Sequence, residues 1–487
     1  MESEPASLDC DVLIVGAGLS GIGAACVLAK EHPERRVLLL EARDDLGGTW
    51  DLFRYPAIRS DSDMFTLGFG FSPWDGARAI ANGDEILEYL RSTATRFDVL
   101  SKISFHRKVL SASWDSLSAR WTVHVLHLDD GSEETLTCRW LWGATGYYRY
   151  ERGYRPDFVG EERFKGTFVH PQFWPEDLDV AEKRVVVIGS GATAITLVPA
   201  LAELGAQVTM LQRSASYVVS RPTVDAGAKR LRQWLPTNIA NSLLRARSIV
   251  GGVITNSLSR YWPSLIRKAI IEGARRQLPE GYDVDRHFSP AYNPWDQRVC
   301  LTTDGALFKA ICAGTVVVAT DTIDHFEETG IVTSSGEHLA ADIVVTATGL
   351  EMRVLGGIEL TVDGTVLEPA TAVSYKGSML CGVPNLTLTF GYTNASWTLK
   401  ADLIATWTSR LFREMDRRGV RRAVPRPPSP ALPRLRYMDL SSGYVLRVAA
   451  ELPKQVNRRP WAISNNYLKD WWLFRAGRLD EELDLLA

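Results

Sequence analysis

The sequence predicts an α/β chain: two Rossmann-like parallel-sheet units, each built to hold a dinucleotide, and one helical insertion. Three observations carry that prediction. An apolar strand, a glycine-rich turn and an apolar helix follow one another in DVLIVGAGLSGIGAACVLA, residues 11–29. The same succession recurs in RVVVIGSGATAITLVPAL, residues 184–201. Residues 222–296 have little strand character and show helical spacing of apolar positions instead.

In the first unit Gly16, Gly18 and Gly21 form the turn. Glycines there permit a tight bend and a close approach of backbone to a pyrophosphate, whose charge then meets the positive end of the following helix. A second strand, RVLLLE, ends on Glu41, twenty residues beyond Gly21. At that distance a carboxylate can accept from a ribose hydroxyl.

In the second unit Gly189, Gly191 and Ala194 supply the GxGxxA form of the turn. The strand QVTMLQRS follows, with Gln212 near the place of the acid and then Arg213 and Ser214. A carboxylate would repel a 2'-phosphate, whereas a guanidinium fork binds one, so this site is expected to prefer NADPH over NADH. Two dinucleotide sites imply a hydride donor beside an acceptor, and the natural pairing is FAD in the first and NADPH in the second.

Two further turns, GATGYY (143–148) and TATGL (346–350), each end an apolar strand and read as the points where the chain passes between units. The FAD unit would then comprise residues 1–146 and 350–487, and the NADPH unit residues 147–221 and 297–349. Residues 222–296 would be the helical insertion. Its segments AKRLRQWL, IANSLLRARSIVGGVI and PSLIRKAIIEGARRQL are expected to pack over a substrate pocket, with a membrane-surface helix as the alternative. The proline-dense PRPPSPALP, 425–433, reads as an ordered surface connection.

Composition narrows the function. With 45% apolar and 23% charged residues the chain is globular, and a net charge of -3 without long runs of either sign gives nothing for nucleic acid to bind. The six cysteines include no CxxC pair, which sets aside a disulfide reductase and fits reduced thiols in a cytoplasmic protein. The acidic N-terminus MESEPASLDCD lacks the features of a signal peptide, and no apolar run is long enough to span a membrane.

The stretch FKGTFVHPQFWP, 164–175, carries Phe164, Gly166, His170 and Trp174. It resembles the FxGxxxHxxxW(P/D) fingerprint of the Baeyer-Villiger monooxygenases, and the resemblance extends over nearly the whole chain. The related N- and S-oxygenases match it as far as the histidine. In that family this segment links the two nucleotide units and helps set their relative motion; read by itself, it is a stiff aromatic strap with His170 as a hydrogen-bonded hinge. A second family fingerprint is met by Gly48, Trp50, Tyr55, Pro56 and Asp61, with Ala57 where the family has Gly or Met.

The resemblance implies roles for further residues. Asp61 in RYPAIRSD and Arg298 in YNPWDQR match the family's active-site pair, and Gln297 stands where many relatives have a lysine near the NADP phosphate. Asn394 to Trp397 match the helix start that meets the flavin ring, though Trp397 reads equally well as core. The implied reaction uses NADPH and dioxygen to form a flavin peroxide, which inserts one oxygen atom beside a ketone carbonyl to give an ester or lactone, and which also oxidises sulfides. A permanently charged guanidinium suits the anions of such a path. The alternatives are a dedicated N- or S-oxygenase and a reductase that never oxygenates substrate. Oligomeric state and physiological substrate are not written in the sequence.

Overall fold

The computed structural model describes residues 8–438 and 440–487; residues 1–7, on which most of the N-terminal reading falls, lie outside it. The chain opens with β1 (Cys10–Val15), α1 (Leu19–Glu31) and β2 (Val37–Leu40). Three helices follow, α2 (Thr49–Leu52), α3 (Met64–Leu67) and α4 (Gly83–Arg96), and then β3 (Ile103–Ser104), β4 (Arg107–Asp115), β5 (Arg120–His127) and β6 (Glu133–Gly143). After Asp11, β1 is continuously apolar because parallel neighbours flank it, Val12 registering with Val37 of β2 and with Trp140 of β6. α1 and α4 cover one face, and side chains of β4 and β5 pack on the other. Trp140 and Trp142 are buried, and their indole N–H groups donate to Thr387 (3.0 Å) and Thr389 (2.9 Å). Those bonds fasten the strand Leu386–Leu388 beside β6 and so fix where the chain turns toward the cleft.

The second unit begins with β7 (Thr167–Val169), β8 (Arg184–Ile188), α5 (Ala192–Glu203) and β9 (Gln207–Gln212). After β10 (Val218–Arg221) come four helices: α6 (Ala226–Trp234), α7 (Thr237–Tyr261), α8 (Pro263–Arg275) and α9 (Val284–Phe288). α7 stops where Pro263 follows, since the residue before a proline avoids helical backbone. β11 (Cys300–Thr303) returns to pair with β10, and α10 (Ala306–Cys312) leads to β12 (Val316–Thr320). A meander of β13 (Ile323–Glu327), β14 (Gly330–Thr333) and β15 (His338–Ala340) precedes β16 (Ile343–Thr346).

The parallel order of this second sheet is β12-β9-β8-β16-β7. The chain then rejoins the first sheet through β17 (Glu359–Val362), which pairs with β4, and β18 (Thr365–Val366). The order there is β18-β17-β4-β5-β6-β1-β2-β3. The long helix α11 (Trp397–Arg418) lies against α1 and ends at Gly419, whose φ of +65° suits a glycine cap.

The centre of the segment Phe164–Pro175 is β7, the edge strand of the second sheet, paired in parallel with β16. No helix among the described residues is long and apolar enough to cross a membrane.

Candidate active site

The three motif positions in each glycine turn have different physical reasons. Gly16 has φ +104°, and a Cβ there would stand 2.7 Å from the Ala144 carbonyl oxygen. A Cβ on Gly21 would overlap the Gly16 carbonyl oxygen, and one on Gly189 (φ +134°) would overlap that of Ala347. These three are demanded by the fold. A Cβ on Gly18 would meet nothing closer than Gly48 Cα at 3.5 Å, and one on Gly191 would meet nothing within 4 Å. That open space at the start of α1 and of α5 fits the pyrophosphate of a dinucleotide. Ala194 is fully buried in α5, where the helix has room for the methyl that Gly21 cannot carry.

Glu41 is buried at the end of β2, its Oε2 accepting from the Ala17 N–H at 2.7 Å and its Oε1 from the Arg43 N–H at 3.0 Å. Burial pushes its pKa up against the pull of those donors. Each oxygen retains a second lone pair for a hydroxyl. In the second unit Gln212 faces inward instead, its Nε2 donating to the His287 carbonyl (2.7 Å) and Thr320 Oγ1 (2.9 Å). By strand register it stands where Glu41 stands in the first unit, after the residue whose carbonyl accepts from the first glycine of the turn, but its side chain ties β9 to α9. Arg213 and Ser214 are exposed just beyond it.

Between the turns lies a charge cluster. Asp61 sits 3.9 Å from Arg298 Nη1 on one side and 3.9 Å from Arg59 Nη1 on the other. Arg59 is almost wholly buried and donates to the Leu301 carbonyl, whereas Arg298 is 37% exposed into the cleft. One carboxylate between two guanidiniums leaves an excess positive charge. Burial opposes the charge of Arg298, but the surrounding tyrosines Tyr147, Tyr444 and Tyr148, with Asp61, raise its pKa further.

Arg298 Nη2 reaches the Tyr147 hydroxyl at 3.4 Å, and that hydroxyl lies 2.8 Å from the one on Tyr148. Tyr147 stacks on Trp397, centroids 5.3 Å apart, and the Trp397 indole donates to Ser20 in α1 at 2.7 Å. A continuous chain of contacts thus runs from the first turn to Arg59. At the start of α11, Asn394 Oδ1 and Ser396 Oγ are buried without hydrogen-bond partners among the described residues, and Ser396 does not cap the helix. Orphaned polar atoms at a helix N-terminus fit the polar end of a planar ring system.

The loop preceding Arg298 is held in an uncommon conformation. Trp295 has φ +75°, and Asp296 accepts two hydrogen bonds from Ser441 through its carbonyl, 3.2 Å from the backbone N–H and 2.8 Å from the hydroxyl. Gln297 is half-buried in this loop and makes no side-chain hydrogen bond among the described residues. Near Asp61, Ala57 has φ +58°, the left-handed region that favours glycine. Trp50 lies in α2, against the first core.

The fingerprint segment joins the two chain crossings. Residues 147–154 and 349–353 run side by side, with Tyr148 bridging Met352 and Arg149 ion-paired to Glu351 at 2.8 Å. His170 Nε2 stands 3.3 Å from the Gly349 carbonyl, and burial lowers its pKa, which favours the neutral ring. Gln172 is buried and donates to the carbonyls of Arg149 (2.8 Å) and Tyr150 (2.9 Å). Phe164 packs with Phe168 and Phe326, Gly166 lies where a Cβ would strike the Asp342 carbonyl, and Trp174 lines the second core.

Sequence reasoning did not single out Arg59, Tyr147 or Gln172. Arg59 had a signal: in the extended run RSD it stands two residues before Asp61, on the same face of the chain. Tyr147 and Gln172 make contacts set by distant segments, which no local pattern encodes.

A cleft flanked by two nucleotide turns, with a retained cation between them, is the arrangement of a two-dinucleotide oxidoreductase. The chain belongs to the flavin-binding monooxygenase-like family, whose sequence profile matches residues 71–354, and residues 14–79 match the NAD(P)-binding Rossmann-like domain. It is 51% identical to the FAD-containing monooxygenase EthA of Mycobacterium tuberculosis (strain ATCC 25618 / H37Rv), over 97% of this chain and 96% of the relative. EthA of Mycolicibacterium smegmatis is 48% identical over the same shares. The fold is that of an oxidised steroid monooxygenase bound to NADP, with TM-score 0.74, 24% identity, and 98% and 99% of the two chains covered. OTEMO in complex with FAD and NADP (form 2) gives 0.73 and 20%, covering 98% and 100%. The chain is therefore a flavin monooxygenase.

Proposed function

We propose that this protein is a Baeyer-Villiger monooxygenase that uses FAD at the first turn and NADPH at the second, and that it also oxidises sulfides. The balanced reaction takes a ketone, dioxygen, NADPH and a proton to an ester or lactone, NADP+ and water. FAD, when bound and reduced by NADPH, supplies the activation of dioxygen. The observation that carries the reading is the Arg298–Asp61–Arg59 cluster, with Arg298 facing the cleft and anchored at 3.9 Å from Asp61.

The residues of the chain have separable tasks. Gly18 and Gly191 admit the pyrophosphates, Glu41 accepts from a ribose hydroxyl, and Arg213 and Ser214 take the 2'-phosphate. Arg298 offsets negative charge as it develops on the attacking oxygen and on the carbonyl oxygen under attack, and Asp61 fixes its orientation. Tyr147, Trp397 and Phe390 form an aromatic wall, with centroids 5.3 Å apart in each pair, that keeps water away. No side-chain nucleophile takes part. The same reading divides the chain into the two glycine-turn units and the insertion at 146/147, 221/222, 296/297 and 349/350.

The test is a panel of ketones and thioethers run with isotopically labelled dioxygen. Esters carrying one labelled atom support the proposal. Labelled sulfoxides with no ester from any ketone would assign the chain to the S-oxygenases, and NADPH oxidation with no labelled product would make it a reductase.

A further inference from the structure

The insertion carries a charge pattern unlike the rest of the chain. Between Ala226 and Ile271 there are eight basic residues and no Asp or Glu, in a protein whose net charge is -3. Some of these cations are used internally: Arg245 pairs with Asp402 at 2.8 Å, Arg247 pairs with Asp225, and Arg232 donates to the carbonyls of Trp74, Asp75 and Gly76. Lys229, Arg230, Arg260 and Lys268 are exposed and enter no ion pair among the described residues.

The same segment exposes apolar side chains in register. Ile239 (51%), Leu243 (48%), Val250 (47%), Ile254 (51%) and Tyr261 (79%) recur at alternating steps of four and seven along α7. At about 100° per residue they fall within an arc of about 60°, a stripe about 33 Å long. The far face, with Asn241 and Ser259 buried, holds the helix to the body together with the fully buried Ala240 and Leu244 on its flank, and Arg245 donates to the carbonyls of Phe65 (3.1 Å) and Gly68 (2.6 Å). The stripe is thus rigidly presented. Exposed aromatics stand near both ends, Trp234 (85%) before it and Trp262 (58%) after it. The expectation that these helices cover a pocket leaves that outer face unexplained.

We propose that the outer face of α6–α8 is a docking surface for an anionic lipid bilayer, with the stripe in the headgroup region and the four free cations at lipid phosphates. Apolar stripe, basic flanks and end-placed tryptophans are what an interfacial helix requires. A second copy of the chain suits the surface less well, because a two-fold contact would set this all-basic segment against itself. The proposal does not rest on the oxygenation chemistry, since binding is read without turnover.

The test floats the holoprotein with vesicles of phosphatidylcholine containing about 30 mol % phosphatidylglycerol, and with phosphatidylcholine alone, at low and high salt. Flotation with the anionic vesicles only, weakened by salt, is the expected result. Replacing Lys229, Arg230, Arg260 and Lys268 together by Gln should lower partitioning by about fivefold per cation, several hundredfold in all. The double variant Leu243→Asp, Ile254→Asp should abolish flotation with every cation in place. All these side chains are exposed, so both variants should keep the wild-type circular dichroism and thermal midpoint. No flotation, or equal flotation with neutral vesicles, overturns the proposal. So does a double variant that still floats but changes oligomeric state by light scattering, which would make the stripe a contact between copies.

Discussion

Replacing Arg298 by Ala should separate two properties that a structural ion pair would lose together. Asp61 lies 3.9 Å from Arg298 and 3.9 Å from Arg59, so the variant leaves the carboxylate with a partner. A pair of unit charges at about 4 Å is worth about 4 kcal/mol at an effective dielectric of about 20. Asp61 is 45% exposed and Arg298 37%, and solvent reduces that figure to about 1 kcal/mol or less. The loss of fold stability should therefore be small, a shift in thermal midpoint of about 1–3 °C for a chain of this size.

Catalysis should suffer more. Removing one preorganised donor to a developing oxyanion costs about 3–4 kcal/mol, or roughly a hundred- to a thousandfold in rate. Anaerobic stopped-flow reduction of the loaded enzyme by NADPH should survive in Arg298→Ala. After mixing with oxygen, product formation should collapse, and the NADPH consumed should appear as hydrogen peroxide. Arg298→Lys should recover little, because an ammonium does not reproduce the planar fork beside Asp61 and Tyr147. Product formation by the Ala variant within tenfold of wild type would refute the reasoning, and so would a midpoint drop that accounts for the lost activity.

Four more outcomes can be checked separately. Gly191→Val should raise the KM for NADPH at least tenfold with an unchanged thermal midpoint, whereas Gly189→Ala should lower soluble yield, since only the latter Cβ strikes backbone. Arg213→Ala should raise the KM for NADPH and leave that for NADH nearly unchanged, as the guanidinium addresses only the extra phosphate; equal losses would assign it to folding. At φ +58°, Ala57→Gly should stabilise by about 0.5–1 kcal/mol in denaturant titrations and Ala57→Val should destabilise by about 1–3 kcal/mol. Lys376 is buried, donates to the Arg478 carbonyl, and burial lowers its pKa from 10.5 to about 8. The unfolded chain then holds that proton more tightly, so wild-type stability should rise by about 3 kcal/mol relative to Lys376→Met between pH 8 and 10.5, as followed by urea midpoints across that range.

How much of this was legible in the sequence depended on the range of the determining contacts. The strand, turn and helix of both nucleotide units were written locally, in apolar runs punctuated by glycine. Yet the sequence treats Gly16 and Gly18 alike, and only the fold separates a glycine pressed against Ala144 from one that faces open space. The helices of the insertion were legible in their periodicity. Which face of α7 turned inward was not, because that is decided by Phe65 and Gly68, roughly 180 residues away. Arg298 was proposed through family resemblance, and its contact Tyr147 lies 151 residues earlier in the chain. The backbone place of Gln212 was legible too, since it follows Leu211 at Gly189 as Glu41 follows Leu40 at Gly16, but its side-chain partners His287 and Thr320 were not.

The fingerprint segment shows why such long-range contacts fall where they do. The chain passes from the first sheet to the second through residues after β6 and returns through residues after β16, and these two crossings bond to each other at Tyr148 and Met352. A pair of extended strands alone would bend easily. His170 braces one crossing at Gly349, and Gln172 braces the other at Arg149 and Tyr150, both side chains projecting from the end of β7, which is itself fixed to β16. Arg149 and Tyr150 immediately follow Tyr147 and Tyr148, whose hydroxyls lead to Arg298. A polar group removed at Gln172 would free two backbone carbonyls at the point where the first crossing sets the position of Tyr147. His170 and Gln172 thus hold the backbone of both crossings, while Phe164 and Trp174 pack into the second unit, so the contacts of this segment are with backbone and core and not with Arg298.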